Sequence, residues 1–172
     1  MKLIELAKER YSLRSFDTRK VEKEKLDLIL EAGQVSPTAA NRQPQRILVI
    51  ESNEALEKLK ECTIYHFNAP MAILICANKE EAWTRKYDGK VHTDIDGSIV
   101  ATHMMLQATE LGLGTTWVGH FDPEAVCKSF NIPNELEPVC ILPLGYPSVE
   151  AKPHPNHTNR KDISEVVTYN KF

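Results

Sequence analysis

The chain has 172 residues, 26% of them charged and 42% hydrophobic, with a formal charge of −3. That is the length of one domain with a sizeable core, and its slightly acidic balance excludes general nucleic-acid binding, which needs a basic face. No apolar run is long enough to span a membrane and the N-terminus lacks a signal peptide's apolar stretch, so a cytoplasmic protein is expected.

Leu3, Ile4, Leu6 and Ala7 give residues 2–9 the pattern of a short amphipathic helix. Arg10-Tyr11-Ser12-Leu13-Arg14-Ser15-Phe16 follows, with two guanidinium groups and a hydroxyl within five residues. Planar N–H forks beside an uncharged donor suit a dianionic phosphate monoester; a solvated basic turn is the alternative. Leu26, Ile29, Leu30 and Gly33 mark a helix over 22–34. Ser36-Pro37-Thr38-Ala39-Ala40-Asn41-Arg42-Gln43-Pro44 then connects it to a strand, Arg46 to Ile50. Small residues there let a ring approach the backbone, and Asn41 and Gln43 offer both donors and acceptors to a heterocycle edge. A plain turn-rich loop is the competing reading. Ser52 or Asn53 caps a helix holding Leu56 and Leu59. The run Met71 to Ala77 is apolar without alternation, as in a strand buried on both faces.

Residues 78–92 are polar, with Trp83 and Tyr87 as isolated aromatics, and are read as a surface loop or short helix. Thr93 is placed as the cap of a long helix to about residue 112 whose apolar positions cover more than one face, so it is expected to be central. Gly112 and Gly114 end it, and Thr115 to Gly119 is read as a strand. Asp122-Pro123 opens a helix through Phe130, and Val139 to Leu144 is a further strand. An irregular track over 147–159 precedes Asn159-Arg160-Lys161, and Ile163 to Tyr169 has strand-like composition without a hairpin partner. The widely spaced Cys62, Cys76, Cys127 and Cys140 read as small buried hydrophobes rather than metal ligands. Interleaved helices and strands predict a single α+β or α/β domain with its sheet between helices.

Taken in order, R-Y-S-L-R-S-F at 10–16, S-P-T-A-A-N-R-Q-P-Q at 36–45, A-P-M-A-I-L-I at 69–75, G-L-G-T-T-W-V-G at 112–119, and L-G-Y-P at 144–147 followed by R-K at 160–161 resemble the FMN-dependent nitroreductase family, in its compact branch. The resemblance covers nearly the whole chain. It implies an α+β three-layer sandwich, a central mixed sheet flanked by helices, in an interlocked homodimer with C-terminal strand exchange. It also implies roles. Arg10, Ser12 and Arg14, with Tyr11 alongside, would hold the phosphate and pyrimidine side of FMN, and Arg160 and Lys161 would close on the phosphate. Pro37, Thr38, Ala39 and Asn41 would come from the partner subunit, with Gln43 supporting that loop or a pyrimidine edge. Trp117, Val118 and Gly119 would lie along the ring.

Gln45 departs from the pattern, since an aromatic residue often follows the Gln-Pro pair in the family. NADH or NADPH would be the donor, and a nitroaromatic, quinone or similar small aromatic acceptor the oxidant, in a ping-pong cycle. The flavin supplies the redox chemistry, so no catalytic acid, base, nucleophile or metal is expected. Asp96, His103 and Glu110 are read as satisfied polar groups of the core or interface. Residues 78–92 are expected to form a lid that brings Trp83 and Tyr87 to a flat substrate, and 163–172 a tail that reaches the partner. Rival readings are reductive dehalogenation or flavin breakdown on the same fold, and a non-catalytic FMN-binding or storage protein.

Overall fold

Four strands form one sheet in the order β1-β2-β4-β3: β1 Gln45–Ile50, β2 Met71–Asn78, β3 Gly114–Thr115 and β4 Leu136–Gly145. The computed structural model describes residues 2–172. Its helices are α1 Leu3–Glu9, α2 Lys23–Gln34, α3 Asn53–Cys62, α4 Thr93–Glu110, α5 Pro123–Ser129 and α6 Ile163–Val166.

The layering follows from β2, where every residue from Met71 to Ala77 is buried. Side chains alternate across a strand, so Ile73 and Ile75 join Ile29 of α2 and Val100, Met104 and Ala108 of α4 on one face. Ala72, Leu74 and Cys76 join Leu59 and Cys62 of α3 and Val126 of α5 on the other. The expected three-layer sandwich is therefore the architecture. All strand pairs are antiparallel, where a mixed sheet was expected. The parallel component is an isolated bridge between Ser12 and Thr115.

Helix α4 is central, as its many apolar faces require. At Gly97 it lies so close to β4 that an added Cβ would stand 2.8 Å from Val139. Ser52 Oγ caps α3, accepting from the Ala55 N–H at 3.2 Å. Asp122 caps α5, accepting from the Glu124 and Ala125 N–H groups at 2.9 and 3.0 Å. Thr93 is not the cap of α4. It is the first helical residue, and its hydroxyl donates to Glu137 on β4 at 2.8 Å. Gly112, at φ +75°, supplies the left-handed residue that stops the helix.

Two further strand readings change, and one open choice is decided. The strand read over 115–119 is only Gly114–Thr115 plus a lone bridge, Val118 to Ile141. After Thr115 the chain leaves the ladder, and among the described residues the backbone N–H groups of Trp117 and Gly119 take no part in it. Residues 78–92 take the loop form of the two that were expected: the chain folds on itself through a Thr84–Val91 bridge, and Trp83 meets His92 edge-on at 4.6 Å. The strand-like segment 163–169 opens instead as the helical turn α6. Asp162 Oδ1 accepts from the Ser164 N–H at 2.9 Å and Glu165 Oε1 from the Asp162 N–H at 3.0 Å. That reciprocal cap overrides β-branched composition locally.

Candidate functional site

The site is built on the chain that leaves α1. Leu13 is 1% exposed and anchors it. Its N–H donates to Thr115 O at 3.0 Å, and its carbonyl accepts from the Thr116 hydroxyl. Further along, the Asp17 N–H donates to Tyr146 O at 2.9 Å and the Ser148 N–H to Ser15 O at 3.1 Å. The basic loop is thus stitched between β3 and the segment after β4. The C-terminal segment returns over it. His157 Nε2–H donates to Lys8 O at 3.0 Å, and its ring meets Tyr11 in a T-shaped contact at 6.2 Å. This return carries Arg160 to the same place, its guanidinium steadied by the Asn159 carbonyl at 2.9 Å.

Together they enclose a cavity of about 350 Å³ lined by Arg10, Tyr11, Ser12, Arg14, His154, Asn156, His157 and Arg160. No carboxylate lines it, and among the described residues Arg10, Arg14 and Arg160 form no ion pair. Partial burial, and then the neighbouring Arg160, draw Arg10 below the ordinary arginine value. Arg10 is half-buried beside the exposed Arg14 and Arg160, and a partly buried charge with like neighbours and no counter-charge is costly unless an anion joins it. A larger groove of about 560 Å³ offers no such field: its Lys20 and Lys60 are balanced by Glu51 and Glu57.

Arg14 also lines a second cavity of about 270 Å³, with Tyr65, Phe67, Thr116, Trp117, Val118, Gly119 and His120. One arginine therefore joins a basic cavity to an aromatic-walled one. The donor set fits a phosphorylated flat heterocycle: guanidiniums and the Ser12 hydroxyl for the phosphate, ring walls and backbone for the ring.

Of the residues expected from sequence, Arg10, Tyr11, Ser12, Arg14, Arg160, Trp117, Val118 and Gly119 are brought together. Lys161 follows Arg160 but lines neither cavity. Pro37, Thr38, Ala39, Asn41 and Gln43 line neither cavity of their own chain either. Their loop is preformed nonetheless. Ala40, Asn41 and Gln43 hold φ values of +52°, +52° and +51°, and the Gln43 N–H donates to Thr38 Oγ1 at 3.0 Å. Trp83 packs on His92 and Tyr87 is 99% exposed, both away from these cavities. Asp96 is not a fully satisfied polar group: it is fully buried, and its Oδ2 has no hydrogen-bond partner among the described residues. Gln45 Oε1 is likewise unpaired, a consequence of the amide at that position.

Sequence reading missed Tyr65, Phe67, His120, His154, Asn156 and His157. Tyr65 and Phe67 reach the ring cavity because Thr63 clamps their loop, its hydroxyl donating to His120 O at 2.7 Å and accepting from the Tyr65 N–H at 3.1 Å. The alternation Tyr65-His66-Phe67-Asn68 between a helix and a strand was the available signal; its meeting with residue 120 was not. Burial pushes the Cys76 thiol up to about 12 and Cys140 up as well, so both are inert protonated thiols. Among the described residues no group of His, Cys, Asp or Glu could hold a metal, and no helix is long and apolar enough to cross a membrane.

Comparison with known proteins matches residues 7–66 and 62–146 to the Nitroreductase family. A protein of Methanothermobacter thermautotrophicus named "Putative NADH dehydrogenase/NAD(P)H nitroreductase" is 33% identical, over 86% of this chain and 78% of its own. The crystal structure of a nitroreductase family protein from Clostridium difficile 630 superposes with a TM-score of 0.93 at 47% identity, covering 100% of both chains. An FMN-dependent nitroreductase from Clostridium difficile R20291 gives a TM-score of 0.81 at 29% identity, over 99% of this chain and 100% of that one.

Proposed function

The chain belongs to the nitroreductase family, and from that premise we propose that it is an FMN-dependent oxidoreductase. It takes electrons from NADH or NADPH and passes them to nitroaromatics, quinones or similar electron-poor acceptors. The observation that supports this best is the pair of cavities joined at Arg14, one basic without a carboxylate, the other walled by Trp117 and Tyr65. Bound FMN would supply the electron and hydride chemistry. The protein's residues bind and orient. Arg10, Arg160 and Ser12 hold the phosphate, while Arg14 places a fixed positive charge where the reduced pyrimidine side gains negative charge. Trp117, Val118 and Gly119 line the cavity that would take the ring, where a backbone N–H could serve as a donor. Donor and acceptor use one site in turn, which gives ping-pong kinetics. Purified protein should carry a flavin spectrum that bleaches under anaerobic NADH or NADPH and returns on adding a quinone. Bleaching without steady turnover would instead support a binding or storage role.

The site is completed by a second copy of the chain. Supporting this, the loop 37–43 is preformed yet contacts neither cavity of its own chain. The tail also holds exposed apolar side chains, with Ile163, Tyr169 and Phe172 at 71%, 83% and 111% exposure. Such a surface fits an interface between subunits. Deleting residues 163–172 is expected to weaken the dimer and release FMN together. Sedimentation and the flavin spectrum of the truncated protein check this, and a truncated chain that stays dimeric and yellow removes the tail from the assembly.

We further propose that residues 78–92 act as the acceptor's lid, with Trp83 and Tyr87 stacking on flat substrates. Trp83→Ala should change the ratio of kcat/KM between a nitroaromatic and a quinone severalfold. An unchanged ratio in steady-state kinetics discards the lid.

A further inference from the structure

Asp96 stands in the first turn of α4 and is 0% exposed. A carboxylate so placed needs partners for both oxygens. Oδ1 has one: it accepts from the backbone N–H of Ala39 at 2.9 Å, across 57 residues of sequence. Oδ2 has none among the described residues. Leaving an acceptor buried and unpaired is unfavourable, so Asp96 is a poor choice if its only task is to fill the core.

What it holds is an unusual backbone. Thr38 is extended at φ −128°, Ala39 begins a 3₁₀ turn, and Ala40, Asn41 and Gln43 all have φ near +50°. Alanine and glutamine rarely adopt that left-handed conformation unless surrounding structure imposes it. The loop's own ties, the Asn41 N–H to Thr38 O at 2.9 Å, the Arg42 N–H to Ala39 O at 3.2 Å and the Gln43 N–H to Thr38 Oγ1 at 3.0 Å, close it upon itself without attaching it to α4. The Asp96–Ala39 bond supplies the attachment. It fixes one end of the strained turn to the central helix.

We propose that Asp96 is a positioning residue. Through the Ala39 N–H it holds the 37–43 loop in the shape that grips the flavin bound by the partner subunit. This rests on the FMN reading above. Asp96 touches neither cavity of its own chain, so its effect on the flavin passes through the loop.

The bond can be removed from either end. Asp96→Ala deletes the acceptor. Ala39→Pro deletes the donor at a first helical position that tolerates proline, after a residue already extended as proline requires. FMN affinity is measured by quenching of flavin fluorescence, alongside the melting temperature of the FMN-free protein and the visible circular dichroism of the bound flavin. Each single variant is expected to weaken FMN about tenfold or more and to alter the flavin's dichroism. The double variant should lose no more than the weaker single, since both remove one bond. Asp96→Asn, which keeps a carbonyl for Ala39, should bind within about threefold of the starting protein.

Wild-type affinity in Asp96→Ala overturns the proposal, as do losses that add in the double variant. If Asp96→Ala does not fold, Asp96→Asn and Ala39→Pro still decide. Loss in Asn equal to that in Pro would mean that the buried charge, not the bond, matters, and would overturn it. A wild-type protein that binds no FMN defeats the functional reading itself, a result separable from all of these.

Discussion

Arg10→Ala is expected to weaken FMN binding by about tenfold or more, and Arg10→Ala with Arg160→Ala to abolish tight binding. On the proposed reading each guanidinium would make charge-assisted hydrogen bonds to the phosphate, whose contribution is about 1.5–3 kcal/mol apiece, and every ~1.4 kcal/mol is a factor of ten in affinity. The same geometry predicts an opposite effect on the empty protein. Arg10 and Arg160 crowd one cavity with no carboxylate between them. Removing one relieves their repulsion, so the FMN-free Arg10→Ala protein should melt no lower than the starting chain. Titration of flavin fluorescence and melting curves with and without FMN check both halves. Unchanged FMN affinity in both single variants would sink the cofactor assignment; an FMN-free protein that melts several degrees lower would show that Arg10 is structural.

Gly114→Ala should cost both stability and the flavin. A Cβ at this position would stand 2.5 Å from Leu13 Cδ2 and 2.9 Å from Leu13 Cβ. The second contact is close to the backbone and cannot be escaped by turning the side chain. Leu13, 1% exposed, must therefore move with its chain, and it lies between Arg10 and Arg14, directly before Arg14. Overpacking of this kind costs about 1–3 kcal/mol, and FMN affinity should fall at least tenfold because both arginines shift. Gly33→Ala is the comparison. Its added carbon meets Met104 Cγ and Sδ at 3.0 Å and, at an ordinary contact distance of 3.4 Å, Val100 Cγ1, and a methionine side chain can bend aside. That variant should keep its FMN affinity. Near-wild-type FMN binding in Gly114→Ala would mean that the basic loop is not positioned through β3.

The two predictions concern one loop, and the reason is that its shape is held from outside. Ser12 to Asp17 makes its backbone hydrogen bonds to Thr115, Tyr146 and Ser148, not to itself. Such a loop transmits a change at β3 to the phosphate cavity, and it explains why R-Y-S-L-R alone is a weak signal.

The sequence by itself determined the elements whose causes are local. The unbroken apolar run 71–77 could only be a strand buried on both faces, the multi-faced pattern of 93–110 only a central helix, and Asp122-Pro123 only a helix start. It also determined the two arginines and the hydroxyl of one loop, since their spacing is a property of the chain. Tertiary structure decided what depends on distant partners. Thr93 reads as a cap, but Glu137 takes its hydroxyl. Residues 116–119 read as a strand, but only Val118 finds a partner there. The tail reads as β, but Asp162 and Glu165 close a helical turn first. Tyr65, Phe67 and His120 form a cavity wall only because the Thr63 hydroxyl meets a carbonyl 57 residues away. Asp96 reads as an ordinary core polar group until its two oxygens are seen to differ, one bonded to Ala39 and one to nothing among the described residues. The physical reason is common to these cases. Hydrophobic period, caps and turn chemistry act within a few residues and are written in order, whereas a buried hydrogen bond joins segments whose proximity exists only after the sheet has packed between its helices.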